Sequence, residues 1–309
     1  MGEFSYAYGP IETAEFDDDE EQLENEIESV EKSEYDSKGR MDILEFIGKI
    51  LEAAKCYSKI WYLKFSDKKI NQRIADLQDI KSFPSYIFLM HYLQKDMPKK
   101  DQYLVLEMIG VTMLRRHVTG QSTAYNDDIF SKLLRVRFEE NHVQEIRNLL
   151  MEDTPTDDEF LDSFSRHELK QRVINRARYM LTKIEYFKRK GTSEISINGA
   201  DDVHVEHIIP QTIDTKTSKN DFGDWEKYLG EKAKINHKKF VNRIGNMTLL
   251  ASSLNISASN NPFAKKKGSY KTSELFITRE LAELRDFKFS HVDKRGQDLA
   301  QIAIKIWKL

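Results

Sequence analysis

His204-Val205-Glu206-His207-Ile208-Ile209-Pro210 puts two imidazoles, a carboxylate and a chain-stiffening proline within seven positions. A polar turn, Gly199-Ala200-Asp201-Asp202, leads into them. These side chains have the parts to hold a divalent metal and to deprotonate a water beside it. A peptidase of the His-Glu-x-x-His kind does not fit. His204 and His207 are three positions apart, whereas that motif needs its histidines about four apart on a helix, and the pattern here is that of a strand.

Two asparagines downstream give the cluster a context. After the basic stretch Lys232–Arg243 comes Ile244-Gly245-Asn246-Met247-Thr248-Leu249-Leu250, then Leu254-Asn255. A histidine on a strand, an asparagine in a loop and a second asparagine on a following helix resembles the order of parts in the ββα-metal, or HNH, nucleases. Neighbouring strand residues face opposite sides, so Glu206 and His207 can take separate roles. Glu206 reaches inward to a cation and His207 projects toward a substrate phosphate. Asn255 closes the metal site from the helix. Asn246, behind a turn-forming glycine, ties its loop to the histidine and fixes the ring. His204 shares the Glu206 face, where it is a further metal ligand, a partner of one, or a packing residue.

The elements that must position these groups divide the chain into three. Residues 1–40 are acidic, poor in apolar side chains and expected to be a disordered linker or tail. Residues 41–190 read as an all-helical domain of six to eight helices. Apolar residues recur at helical spacing from Ile43 onward, and Pro84, Pro98, Gly120 and Pro155 punctuate them. Asp157 and Asp158 suit a helix start. His91, His117, His142 and His167 have no metal-spaced companion and read as ordinary histidines. Arg115, Arg116, Arg172, Arg176 and Arg178 read as solvated faces before phosphate contacts. Residues 191–309 form the third part. Ser193–Ile197 and Val203–His207 alternate like short strands around an Asn198-Gly199 turn. Helices follow at Trp225–Tyr228, from near Thr248, over Ser273–Arg285 and around Leu299–Trp307.

Composition bounds the class. With 39% apolar residues and 11% aromatics the chain can build a real core. It has no apolar run of membrane-spanning length and no secretory leader, so it reads as a soluble cytoplasmic protein. Cys56, the only cysteine, cannot supply a disulfide or a thiolate zinc cage, and it sits in an apolar helical pattern as a core residue. The formal charge of −3 hides an asymmetry. Residues 1–40 carry 14 acids against 3 bases, whereas residues 204–309 carry 19 bases against 12 acids. A positive field around the histidine cluster suits a polyanionic substrate. Arg243, Lys265, Lys266 and Lys267 are the candidates for gripping phosphate.

From His204 to Trp307 the chain resembles the C-terminal HNH domain of the GmrSD-type, modification-dependent (type IV) restriction endonucleases. The matching residues are those of the histidine cluster, Trp225, Ile244–Leu250, Leu254-Asn255, Asn261-Pro262-Phe263, Lys265-Lys266, Tyr270, Ser273, Arg295 and Trp307. The fold class that follows is mainly α: the helical domain, then a ββα-metal (HNH) nuclease domain with helical embellishments. The resemblance implies DNA cleavage in restriction or antiviral defence. His207 is then the general base and Asn246 its orienting partner. Mg²⁺, or Mn²⁺ in its place, is held by Glu206 and Asn255, with His204 as a further candidate. Members of the family usually begin with a ParB-like NTPase module. No sign of it appears, and no nucleotide site is recognised, so the chain is expected to be the nuclease half of a split system or a truncated form. No membrane partner is expected. Two rivals remain, a DNA- or partner-binding regulatory subunit with an inactive HNH scaffold and an RNA-cleaving HNH nuclease.

Overall fold

The computed structural model describes residues 43–190, 197 and 202–309. The acidic stretch 1–40, the strand expected over Ser193–Ile197 (Ile197 apart), its Asn198-Gly199 turn and the expected domain start at 191 lie outside the described residues. The chain falls into two compact units, Met1–Lys49 and Ile50–Leu309. The first is described only over 43–49, where it is helical and exposed and Lys49 pairs with Glu45 at 2.6 Å.

The second unit begins within helix α1 (Ile43–Trp61), which buries Cys56 and Ile60. Cys56 is thus a core residue, as its apolar surroundings predict. Helix α2 (Lys68–Asp79) starts on Asp67, whose carboxylate accepts from the Lys69 and Ile70 amides. Helix α3 (Tyr86–Leu93) and helix α4 (Lys99–Val118) follow. From Val105 to Val118, α4 is apolar on nearly every side and almost wholly buried, the signature of a helix enclosed by others. Around it stand α5 (Asn126–Leu133), α6 (His142–Asp153), α7 (Asp157–Phe164) and α8 (Ile174–Lys188). The acidic start of α7 is secured by a reciprocal cap between Thr156 and Glu159.

Three arginines expected on solvated faces, Arg115, Arg116 and Arg176, are instead buried. Arg115 donates to the Trp307 and Pro155 carbonyls and to Asp157, and Arg116 to the Asp153 and Ser122 carbonyls and to Asn126. A guanidinium has five donors in a planar fork, enough to satisfy several helix-end carbonyls at once, and that is how α4 uses both.

The remaining elements are strand β1 (Val203–His207), helices α9 (Lys216–Phe222), α10 (Trp225–Leu229) and α11 (Ala233–Phe240), strand β2 (Met247–Ala251), and helices α12 (Ser252–Ala258), α13 (Phe263–Lys271), α14 (Phe276–Arg279) and α15 (Phe289–Ile306). The chain is mainly helical, as expected. One element departs from the sequence reading. The helix expected from near Thr248 is preceded by a strand, and the helix itself begins at Ser252. Met247, Thr248, Leu249 and Leu250 are all buried, so this strand shows a continuous apolar run in place of alternation, which periodicity cannot tell from a helix.

β2 pairs antiparallel with β1, in the register His204 opposite Leu250, Glu206 opposite Thr248 and His207 opposite Met247. The two-stranded sheet stands between two hydrophobic clusters. Met247 and Leu249 enter the larger cluster with the helices α1–α8, and Leu250 enters the smaller one with Ile208, Ile209, Trp225, Phe263 and Tyr270. Packing on both faces fixes the register, because a slip of one residue would exchange every side chain between the two cores.

Candidate active site around His207

The alternation of β1 sets His204 and Glu206 on one face and Val203, Val205 and His207 on the other. Val203 and Val205 pack on the larger core, which anchors the strand and leaves His207 at its end.

Glu206 is buried, 7% exposed, and its partner is a residue of α13. In α13 the buried positions are Phe263, Lys266 and Tyr270, spaced so that one helix face carries all three inward. Lys266, 1% exposed, donates from Nζ to Glu206 Oε1 at 2.5 Å and to the His207 carbonyl at 2.8 Å. The Tyr270 hydroxyl donates to the same Oε1 at 3.2 Å. Burial pushes the Glu206 carboxyl up and the Lys266 ammonium down, and the contact between them opposes both shifts. One buried cation therefore holds the side chain of Glu206 and the main chain of His207 together.

Asn246 fixes the next stretch of chain. It closes a short 3-10 turn, Ile244–Asn246, and is fully buried. Its Oδ1 accepts from Ile209 N at 2.8 Å, and its Nδ2 donates to the Ile209 and Val241 carbonyls at 2.9 and 3.0 Å. Ile208 N in turn donates to the Asn246 carbonyl at 2.9 Å. Asn246 thus orders the exit from β1 through main-chain groups, two residues beyond His207, and its amide bonds no atom of the ring. Gly245 is required there: a Cβ would lie 2.0 Å from the Val292 carbonyl of α15. From α15, Arg295 Nη1 donates to the Gly245 and Met247 carbonyls at 3.1 and 2.6 Å and so clamps the turn.

His204 and Asn255 come together. Asn255 lies early on α12, directly after β2, and its Nδ2 is 3.2 Å from His204 Nδ1. Its Oδ1 is buried and has no partner. The His207 ring is half-buried, and the Gln211 amide stands 3.5 Å from its Nε2. Burial, with Lys266 and His237 nearby, pushes the His207 pKa down to about 4, so the ring is neutral at pH 7 and able to accept a proton. His237 is itself buried and bonded to the Pro210 carbonyl at 2.7 Å.

Of the four cations read as phosphate contacts, Lys265 is exposed and Lys267 half-buried. Arg243 pairs with Asp293 at 2.8 Å and lies over the Phe240 ring, and Lys266 is in the core. The chemistry of the donors separates the three residues read as metal ligands. His204 and Asn255 present an imidazole nitrogen and an unsatisfied amide oxygen, which suit a divalent ion. Glu206 Oε1 already accepts from Lys266 and Tyr270, which leaves the second carboxylate oxygen for a cation. Among the described residues no cluster of three or more His, Cys, Asp or Glu side chains is arranged to hold a metal.

The roles of Lys266, Tyr270 and Arg295 were not read from the sequence. The spacing Phe263–Lys266–Tyr270, one apolar or aromatic face with a lysine in its middle, was the available signal for a buried ammonium and therefore for a buried acid facing it.

Residues 154–302 match the family model of the GmrSD restriction endonucleases, C-terminal domain. Over this segment the chain is similar to that domain. The match begins before the histidine cluster, so it takes in α7 and α8 as well as the site and most of α15. No curated protein matches the chain.

Proposed function

We propose that this chain is an HNH-type DNA endonuclease of a prokaryotic restriction or anti-phage system, with His207 as the general base. The observation that carries the reading is the state of His207. Its ring is neutral, half-buried and free of any close bond, at the end of a strand whose main chain is held by Lys266 and Asn246. It also lies three residues from the His204–Asn255 pair, within the segment that is similar to the GmrSD C-terminal domain.

The chemistry is phosphodiester hydrolysis. His207 takes a proton from a water whose oxygen attacks phosphorus, and the bond from phosphorus to the 3′ oxygen breaks. The 3′ oxygen leaves as a hydroxyl once protonated, and a 5′ phosphate remains. A Mg²⁺ ion, when bound, supplies positive charge against the charge developing on the phosphate and the leaving oxygen. Glu206, Asn255 and His204 are the residues that would hold it. Lys265 is an exposed candidate for the backbone phosphates, and Lys267 stands half-buried beside it. His237 and Asn246 keep the strand exit fixed, so the imidazole is presented in one orientation.

A second reading, a regulatory subunit on an inactive scaffold, is favoured by one observation, the engagement of Glu206 by Lys266. Plasmid nicking with Mg²⁺ decides between them, run beside a structured RNA. Nicking that disappears in His207→Ala, with the RNA intact, supports the DNase. An unreactive parent, or RNA cleaved in its place, removes it.

A further inference from the structure

We propose that two copies of this chain pair through α1, head to tail about a two-fold axis. Of the 19 residues of that helix only Cys56 and Ile60 are buried. Ile43, Ile47, Ile50, Ala54, Tyr57 and Trp61 recur every three or four positions, line one face, and are all exposed. Glu45, Lys49, Glu52, Lys55 and Lys59 fall on the opposite side. An apolar stripe of that period with charges behind it is the seam of a helix that packs on another helix.

The stripe runs on beyond the helix. The Trp61 ring centre stands 6.0 Å from that of Tyr57 and 6.1 Å from that of Phe83, and Phe83 and Ile87 are exposed by 44% and 54%. With side chains of this size about half open, α1 and this aromatic corner offer roughly 800 Å² of apolar surface, about one partner's share of a standard interface. A lone soluble chain ordinarily exposes no apolar patch so large.

A second copy fits this face in shape and in charge. The first half of α1 buries nothing, whereas the second half is joined by the aromatic corner. Turned head to tail, the bare half of each helix lies against the corner of the other, so one contact made twice covers both and the pair closes. Lys55 and Lys59 share one edge of the stripe, and Leu44 and Gly48 continue that edge in the first half. A parallel pair would set the lysines of the two copies side by side, whereas the head-to-tail pair sets them against the uncharged positions. The pairing does not depend on the nuclease reading. On that reading it brings two His207 sites into one particle, the number that cutting both strands needs.

Sedimentation velocity of the full chain from roughly 1 to 100 µM tests the proposal. The parent should reach twice the 36.2 kDa of one chain. Ile47→Glu/Ile50→Glu should raise the dissociation constant at least about tenfold. Ile256→Glu, the same change at an isoleucine 74% exposed on α12, should leave it within about twofold. Thermal melts establish that each variant is folded. A nitroxide on Glu45→Cys reads the alignment, since Cys56 is buried and leaves the label to the new site. Double electron–electron resonance should give on the order of 20 Å or more between the two labels of a head-to-tail pair, against about 10 Å in a parallel one. A parent that stays single at the highest concentration, or grows into larger assemblies, overturns the proposal. So does the short label distance, or a folded Ile47→Glu/Ile50→Glu that pairs as the parent does.

Discussion

Two pairs of half-buried imidazoles, His117 with His167 in the helical part and His204 with His207 on β1, keep opposite company. His117 Nδ1 and His167 Nε2 are buried without a partner, and burial, with Arg176 beside them, pushes their pKa values down to about 3 and about 4. Arg176 donates to the Ile80 carbonyl at 3.0 Å, and Arg116 adds a further positive charge near His117. No cation would settle beside two guanidinium groups. The β1 pair has the Asn255 amide oxygen and the Glu206 carboxylate on the His204 face, and its perturbed member, His207, carries a ring that no side chain engages closely. A shifted pKa is common to both places; what surrounds the ring separates a packed histidine from a working one.

The comparison breaks most readily on activity. His207→Ala should lower the nicking rate by about 10²–10⁴-fold, the size of a lost general base, with an unchanged melting curve. His117→Ala should leave the rate within about twofold, measured on the same plasmid. Equal losses in the two variants would mean that the β1 pair holds no special role.

The next effect is on stability and concerns Lys266. Lys266→Met leaves Glu206 buried without its cation and should cost about 3 kcal/mol, whereas Glu206→Gln/Lys266→Met should fall within about 1 kcal/mol of the parent. Urea unfolding of the three proteins gives the coupling directly. A double variant as unstable as Lys266→Met would show that the ion pair is not what the two residues share.

The sequence made the site legible where chemistry is local and illegible where it depends on a distant partner. His204, Glu206 and His207 lie on one strand, and alternation assigns their faces without any tertiary information. Asn255 on the helix after β2 followed from order alone. The fate of Glu206 did not, because its partner is 60 residues away on α13, and a lysine between Lys265 and Lys267 looks like surface charge. The same holds for Arg115, whose acceptors include the Trp307 carbonyl 192 residues away. The helical part was legible as helices because its stripes are periodic. β2 was not legible as a strand, because both of its faces are covered and the alternation that marks a strand is erased.

A smaller effect per residue than that of Lys266 belongs to the helical pair. His117 and His167 have folded pKa values below the ordinary 6.5, so between those values the unfolded chain binds more protons than the folded one. Stability from each ring is fully present above about pH 6.5 and is lost as the pH falls toward the folded value. At pH 5 each should have cost about 2 kcal/mol relative to pH 7. Urea midpoints at the two pH values should draw together in His117→Gln/His167→Gln. An unchanged gap would place the acid sensitivity elsewhere.

The smallest effect separates the two parts of the molecule by their surface charge. Lys265 is exposed next to the site, and Lys100 is exposed in the helical part. If Lys265 meets a backbone phosphate, Lys265→Glu should weaken DNA binding for every sequence alike and reduce the slope of log affinity against log salt by about 1. Lys100→Glu changes the net charge by the same amount and should leave that slope where it is. Equal slopes for the two variants would mean that binding follows net charge alone, and that the basic surface beside His207 does not track the backbone.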